Sequence, residues 1–153
     1  MDSDTRPTIY VSSKRQHTQL WRVYRHRGWR IVSSWIDLDD AIEAETLGHT
    51  YWPLWLNEAA MADYLLFYAH PQDGSHSENL LEIGAALVGG ATVLHVGVSS
   101  NMKTQDGEMS AFTYHPKWVR FASIALHHGS PWTERAFPSE RDCGRCKHLG
   151  SCD

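Results

Sequence analysis

No run of apolar residues in the sequence approaches the roughly 18 needed to cross a bilayer. The start, Met1-Asp2-Ser3-Asp4, is polar and acidic rather than signal-like. A cytoplasmic protein without a membrane partner is therefore expected. There is no surplus of basic charge: the net charge of −4 argues against general attraction to a nucleic-acid backbone, despite the cluster Arg22, Arg25, Arg27 and Arg30. Small ligands are the expected partners, not a nucleic-acid polymer. No GxGxxG follows the first predicted strand and no GxxxxGK(S/T) occurs, so dinucleotide and P-loop readings lose their usual warrant. Internal repeats and low-complexity tracts are missing as well.

What is present fits an ordinary globular domain. Apolar residues make up 42% and charged residues 21%, which leaves neither disorder nor a fibrous repeat as a reading. The 153 residues suffice for one real core but not for two substantial ones, so one active site is the default. Seven tryptophans are many for this length, and each carries a large apolar area plus an N–H that needs a partner.

Along the chain, Thr8 to Ser12 follows Pro7 and is rich in β-branched and aromatic residues, which predicts a buried first strand. Leu20, Val23 and Tyr24 share one face of a helix over about Gln16 to His26, stopped by Gly28. A second strand is predicted over Trp29 to Ser33, then an acidic loop, Asp37-Leu38-Asp39-Asp40. Pro53 opens a second helix ending near Asp63. Tyr64 to Ala69 is a continuous apolar strand of the kind found in the middle of a parallel sheet, and His70 to Ser75 is the turn after it. A third helix, capped by Ser75 or Ser77, carries Leu80, Ile83, Gly84 and Leu87 and ends at Gly89-Gly90. Strands over Thr92 to Val98 and Trp118 to Ala122 flank a polar loop.

This alternation predicts an α/β fold: a Rossmann-like three-layer sandwich, mainly parallel and five-stranded, with helices on both faces. Ligands in such folds sit beyond the carboxyl ends of the strands. Ser12, Ser13, Trp35, the loop from His70 to Ser77 and the start of the third helix are thereby brought to one edge. Glu82 stands out there, an acid within the apolar run Leu80-Leu81-Glu82-Ile83-Gly84-Ala85-Ala86-Leu87. An exposed helix position is the plain explanation. Against it, Gly84 in a helix interior costs roughly 1 kcal/mol relative to Ala, a cost easier to understand where a backbone or ligand comes close.

Thr8-Ile9-Tyr10, Ala62-Asp63-Tyr64-Leu65-Leu66 and Glu82-x-Gly84-x-Ala86, taken in order and spacing over roughly residues 8 to 98, resemble the nucleoside 2-deoxyribosyltransferase superfamily. That superfamily includes nucleoside 5′-monophosphate N-glycosidases. The resemblance implies that Glu82 attacks the anomeric carbon to give a covalent glycosyl-enzyme, and that Tyr10 orients it. A carboxylate suits an oxocarbenium-like transition state because it stabilises the developing positive charge. No cofactor is implied for catalysis, and a homo-oligomer is. Asp63 matches a family position that is catalytic in some members and structural in others. Asp73 and His76 are the nearest candidates for protonating the departing base, though neither matches the family pattern cleanly. Ser75 and Ser77 are alternatives to His76 for holding a phosphate. Ser12 and Ser13 offer either phosphate contacts at a helix start or an ordinary cap. Trp35 either stacks on a base or packs in the core.

The sequence divides into a domain over 1–129 and an irregular extension over 130–153, which begins with Pro131 and Pro138 and holds every cysteine. Cys143-x2-Cys146 is a two-ligand zinc hook that His148 and Cys152 would complete. Its spacing also resembles the end of some iron-sulfur modules, and a tail without metal is the further alternative. Two rivals to the enzyme are a nucleotide-sensing module without catalysis and a partner-binding adaptor built on the cysteine tail.

Overall fold

The computed structural model describes residues 6–38, 42–97 and 99–120. Four parallel strands form one sheet in the order β1 (Ile9–Ser12), β2 (Tyr64–Ala69), β3 (Thr92–Gly97) and β4 (Trp118–Val119). Register places Ser12 level with Phe67, and Phe67 level with His95. Leu65, Leu66, Phe67, Val93 and Leu94 are buried at the middle of this sheet, as their unbroken apolar run requires. The fold is α/β, with four strands among the described residues where five were expected.

The missing strand is Trp29–Ser33, which runs along the outer edge of β1 but pairs at a single bridge, Ile9 with Ile31. Ile9 N–H donates to Arg30 O at 3.0 Å, and Val32 N–H donates to Ile9 O at 2.9 Å. Val11, the next outward residue of β1, is served by side chains instead. Its N–H donates to Ser33 Oγ at 2.6 Å and its carbonyl accepts from Trp35 Nε1 at 2.8 Å. Strand pairing ends there because the chain turns into a 3-10 segment at Ser34–Asp37. Of the acidic stretch, Asp37 closes that turn and accepts both guanidinium bonds of Arg25, at 2.8 and 2.9 Å.

Helix α1 (Thr18–His26) follows a 3-10 turn at Arg15–His17, and Gly28 takes the positive φ of 107° that ends it. Helix α2 (Ala44–Thr46) passes through a π-helical turn (Leu47–Tyr51) into α3 (Trp52–Met61). The wide turn lies just ahead of Pro53, whose ring has no N–H and crowds the carbonyl one turn back. Helix α4 spans Ser77–Gly89, with His76 rather than Ser75 or Ser77 as its N-cap residue.

Trp21 of α1 packs edge-on against Tyr68 of β2 at 5.4 Å, whereas Tyr10 and Ser12 of β1 reach α4. Tyr68 lies one residue beyond Phe67, the partner of Ser12, so α1 and α4 cover opposite faces of the sheet. The chain leaves β1 outward toward Ile31 and returns across it to β2. That reversal puts the crevice that α/β sheets use for ligands at the carboxyl ends of β1 and β2.

The two glycines of α4 differ from expectation. Gly84 is exposed, and a Cβ there would meet nothing within 4 Å, so no close approach explains it. Gly89 is the contact residue: a Cβ would lie 1.9 Å from Ala60 O, so its absence lets α4 settle against α3.

Among the described residues no helix is long and apolar enough to cross a membrane. The remainder of the strand expected over Trp118 to Ala122, the division at 129/130 and the tail residues Cys143, Cys146, His148 and Cys152 lie outside the described residues.

Candidate active site

Position on α4 decides the character of Glu82. The residue lies on the helix face turned toward β1, and only 6% of it is exposed. The Tyr10 hydroxyl donates to Oε2, and the Ser12 hydroxyl donates to Oε1 at 2.8 Å. Alternation along β1 is what allows this: Tyr10 and Ser12 point to the same face. Asn79 completes the arrangement by donating from Nδ2 to Ser12 Oγ at 2.9 Å.

Burial pushes the Glu82 carboxyl up to about 7, against the lowering effect of the bonds from Tyr10, Ser12 and Asn79 and with a further push from the charge of Glu78. Tyr10 is held far above the usual phenol range, by burial first and then by the Glu82 carboxylate. It therefore acts as a neutral donor.

Glu82 forms part of the wall of an open cavity of about 140 Å³, lined also by Trp35, Trp52, Trp55, Asn79 and Lys14. The recess is smaller than sites that enclose a whole drug-sized molecule, which run to roughly 300–1,000 Å³. Trp35 belongs both to the core and to this wall. Asn79 Oδ1 is buried without a hydrogen-bond partner among the described residues, and the side chain lines the cavity. A donor on a ligand would satisfy it.

Several predicted residues sit elsewhere. Asp63 accepts from Thr8 N–H at 2.8 Å and from Thr8 Oγ1 at 3.1 Å, tying the starts of β1 and β2. That is the opposite end of the sheet, about 13 Å along β2 from the level of Ser12. Asp63 does not line the Glu82 cavity. Ser13, by contrast, does line the cavity, although its Oγ accepts from Trp21 Nε1 at 2.6 Å and donates to Lys14 O at 3.1 Å, so its hydroxyl is engaged within the protein. Ser12 is likewise committed to Glu82.

Asp73 and His76 form a buried pair that does not line the cavity. His76 Nε2 lies 2.9 Å from Asp73 Oδ2, and its Nδ1 lies 2.7 Å from Ser99 Oγ. Burial raises the Asp73 carboxyl, but hydrogen bonds from His76, His17 and the His70 N–H outweigh it and hold the group at about 2. These bonds favour the ionised carboxylate. Ser75 and Ser77 are exposed and bonded to each other at 3.2 Å.

Glu78, Asn79, Trp52, Trp55 and Lys14 were not anticipated. Glu78 and Asn79 stand four and three residues before Glu82, the helical spacing that puts them on one face, and that signal was legible. Trp52 and Trp55 share the same i, i+3 relation. Lys14 carries no pattern that marks it.

Comparison with protein-family models, curated proteins and solved structures returns no match.

Proposed function

We propose that the chain cleaves or transfers at the N-glycosidic bond of a nucleoside or its 5′-monophosphate, with Glu82 as nucleophile. The observation that carries this reading is a buried carboxylate, held by Tyr10 and Ser12, in the wall of a tryptophan-lined cavity. The four-stranded parallel sheet with the Ile31 bridge at its edge is read as a reduced Rossmann-like sandwich. Its ligand crevice coincides with this cavity. The order and spacing of Tyr10, Asp63 and Glu82, which resemble the deoxyribosyltransferase superfamily, support the same assignment.

In the proposed reaction a Glu82 oxygen bonds to the anomeric carbon as the C–N bond breaks, and the electron pair leaves with the base. Water, or a second base, then displaces the carboxylate. Tyr10 and Ser12 hold both oxygens so that one lone pair faces the sugar. Tryptophan faces receive the base, and Lys14 in the cavity lining attracts an anionic substituent. Asn79 Oδ1 accepts from a sugar hydroxyl. Glu78 is the other carboxylate lining the cavity and replaces Asp73 and His76 as the candidate proton donor to the departing base.

The test is chromatography of standard nucleosides and deoxynucleotides after incubation with the protein. Free base is expected from the wild type and not from Glu82→Ala. Intact substrate throughout, with both proteins folded, rejects the reading.

A further inference from the structure

A second cluster lies at the same carboxyl edge of the sheet, on residues that the glycosidic chemistry does not use. His17 ends the turn before α1, and His70 and Asp73 belong to the turn after β2. One nitrogen of each histidine and one oxygen of Asp73 lie within 4.8 Å of one another. We propose that His17, His70 and Asp73 bind a first-row divalent transition metal ion, with zinc as the representative.

The donor set selects the class of ion. Two imidazole nitrogens and one carboxylate oxygen suit zinc and its first-row neighbours, whereas calcium and magnesium take sets made of oxygen. The spacing suits it as well. Ligand bonds of about 2.0–2.1 Å in tetrahedral geometry place donor atoms roughly 3.3 Å apart. His17 Nε2 lies 2.6 Å from Asp73 Oδ1, and the whole set is confined within 4.8 Å, so shifts of about 1 Å open the site around an ion.

The surroundings hold these donors in place. His76 Nε2 and the His70 N–H, each 2.9 Å from Asp73 Oδ2, fix one carboxylate oxygen, while Oδ1 faces His17 and also accepts from Gln16 Nε2 at 2.9 Å, a bond that an ion would replace. Ser99 in turn holds His76, giving the ligand carboxylate the outer support that metal sites require. Tyr68 packs edge-on against the His17 ring at 5.0 Å, and the His70 ring lies 5.4 Å from it. His17 and His76 both pair with Asp73, whereas the His70 ring accepts from the Gln72 N–H at Nδ1, 3.1 Å away; a metal ion would join the His70 ring to the set. Three protein ligands leave a position for water or an external ligand. The ion would also staple the start of α1 to the turn after β2. Lys14, three residues before His17, lines the Glu82 cavity, so occupancy would steady that wall.

This assignment does not depend on the reading of Glu82, and its test is a metal count. The full chain is prepared with Cys143→Ser, Cys146→Ser and Cys152→Ser to remove every thiolate, then equilibrated with zinc and dialysed. One zinc per chain is expected. Adding His70→Ala, or His17→Ala, should weaken binding at least tenfold with the circular dichroism unchanged. Should His17→Ala fail to fold, His70→Gln with a cobalt titration read in the visible spectrum decides the matter. Less than a tenth of an equivalent in the cysteine-free chain, or a count indifferent to both histidines, overturns the proposal.

Discussion

The Tyr10 hydroxyl on β1 donates to Oε2 of Glu82 on α4, joining residues 72 positions apart inside the core. The bond favours the ionised carboxylate, while burial favours the neutral acid and prevails. The proposed nucleophile is therefore held with its two protonation states balanced near neutral pH, and this balance makes the site testable.

The rate should rise with pH. Attack needs the carboxylate, so kcat/KM should climb through a midpoint near 7. A profile measured from pH 5 to 9 with a deoxynucleotide tests this, and a flat or falling profile through that range speaks against Glu82.

Stability should move the other way. The Glu82 carboxyl titrates near 4.5 when unfolded and at about 7 when folded. Its favourable contribution is complete below the unfolded value and is lost as pH rises through the folded one, a loss of about 3 kcal/mol. Glu82→Gln removes the titration. Its melting temperature should exceed that of the wild type at pH 8, and the gap should close by pH 4.

Tyr10→Phe removes a donor to the carboxylate, so the Glu82 carboxyl should titrate higher still. A hydrogen bond to a charged group contributes about 1.5–3 kcal/mol, so the rising limb should shift upward by roughly one to two pH units. An unshifted limb would mean that the bond does not act on the titrating group.

Trp52 lines the cavity and is only partly buried, so its loss should affect binding more than folding. Trp52→Ala should raise KM about tenfold while kcat changes little, the pattern of lost uniform binding. Steady-state kinetics separates the two constants.

The two glycines of α4 should respond with opposite sign. Gly84→Ala has open space and gains helix propensity, about 0.5–1 kcal/mol. Gly89→Ala drives a methyl into the Ala60 carbonyl and should cost about 1–3 kcal/mol. Denaturant midpoints measure both.

Periodicity and punctuation made much of this fold legible. The apolar run Tyr64 to Ala69 and the stops at Gly28 and Gly90 reflect local chemistry, whereas the face expected for α1 is displaced: Trp21 is its buried residue and Val23 is exposed. Trp29–Ser33 has strand composition, yet it pairs at one bridge because Ser33 and Trp35 supply side-chain partners to Val11. That substitution is a tertiary fact with no sequence period. The helical stretch from Ala44 to Tyr51 was missed because its π turn breaks the 3.6-residue spacing ahead of Pro53.

For the site, Glu82 betrayed itself as an acid in an apolar run, and Tyr10 lay on the strand facing it. Asp73 and His76 looked like acid candidates because their loop precedes α4, but their side chains turn to each other. Glu78 and Asn79 were legible in the helical spacing from Glu82. That they line the cavity while Ser75 and Ser77 do not came only with the folded helix.

Trapping a covalent intermediate on Glu82 is the sharpest check on the proposed nucleophile. The protein is mixed with a deoxynucleoside 5′-monophosphate, quenched in acid within milliseconds to seconds, digested and weighed by mass spectrometry. A peptide containing Glu82 heavier by the sugar phosphate, and absent from Glu82→Gln, is the predicted result. Base release with no adduct on that peptide, undiminished in Glu82→Gln, would contradict the account.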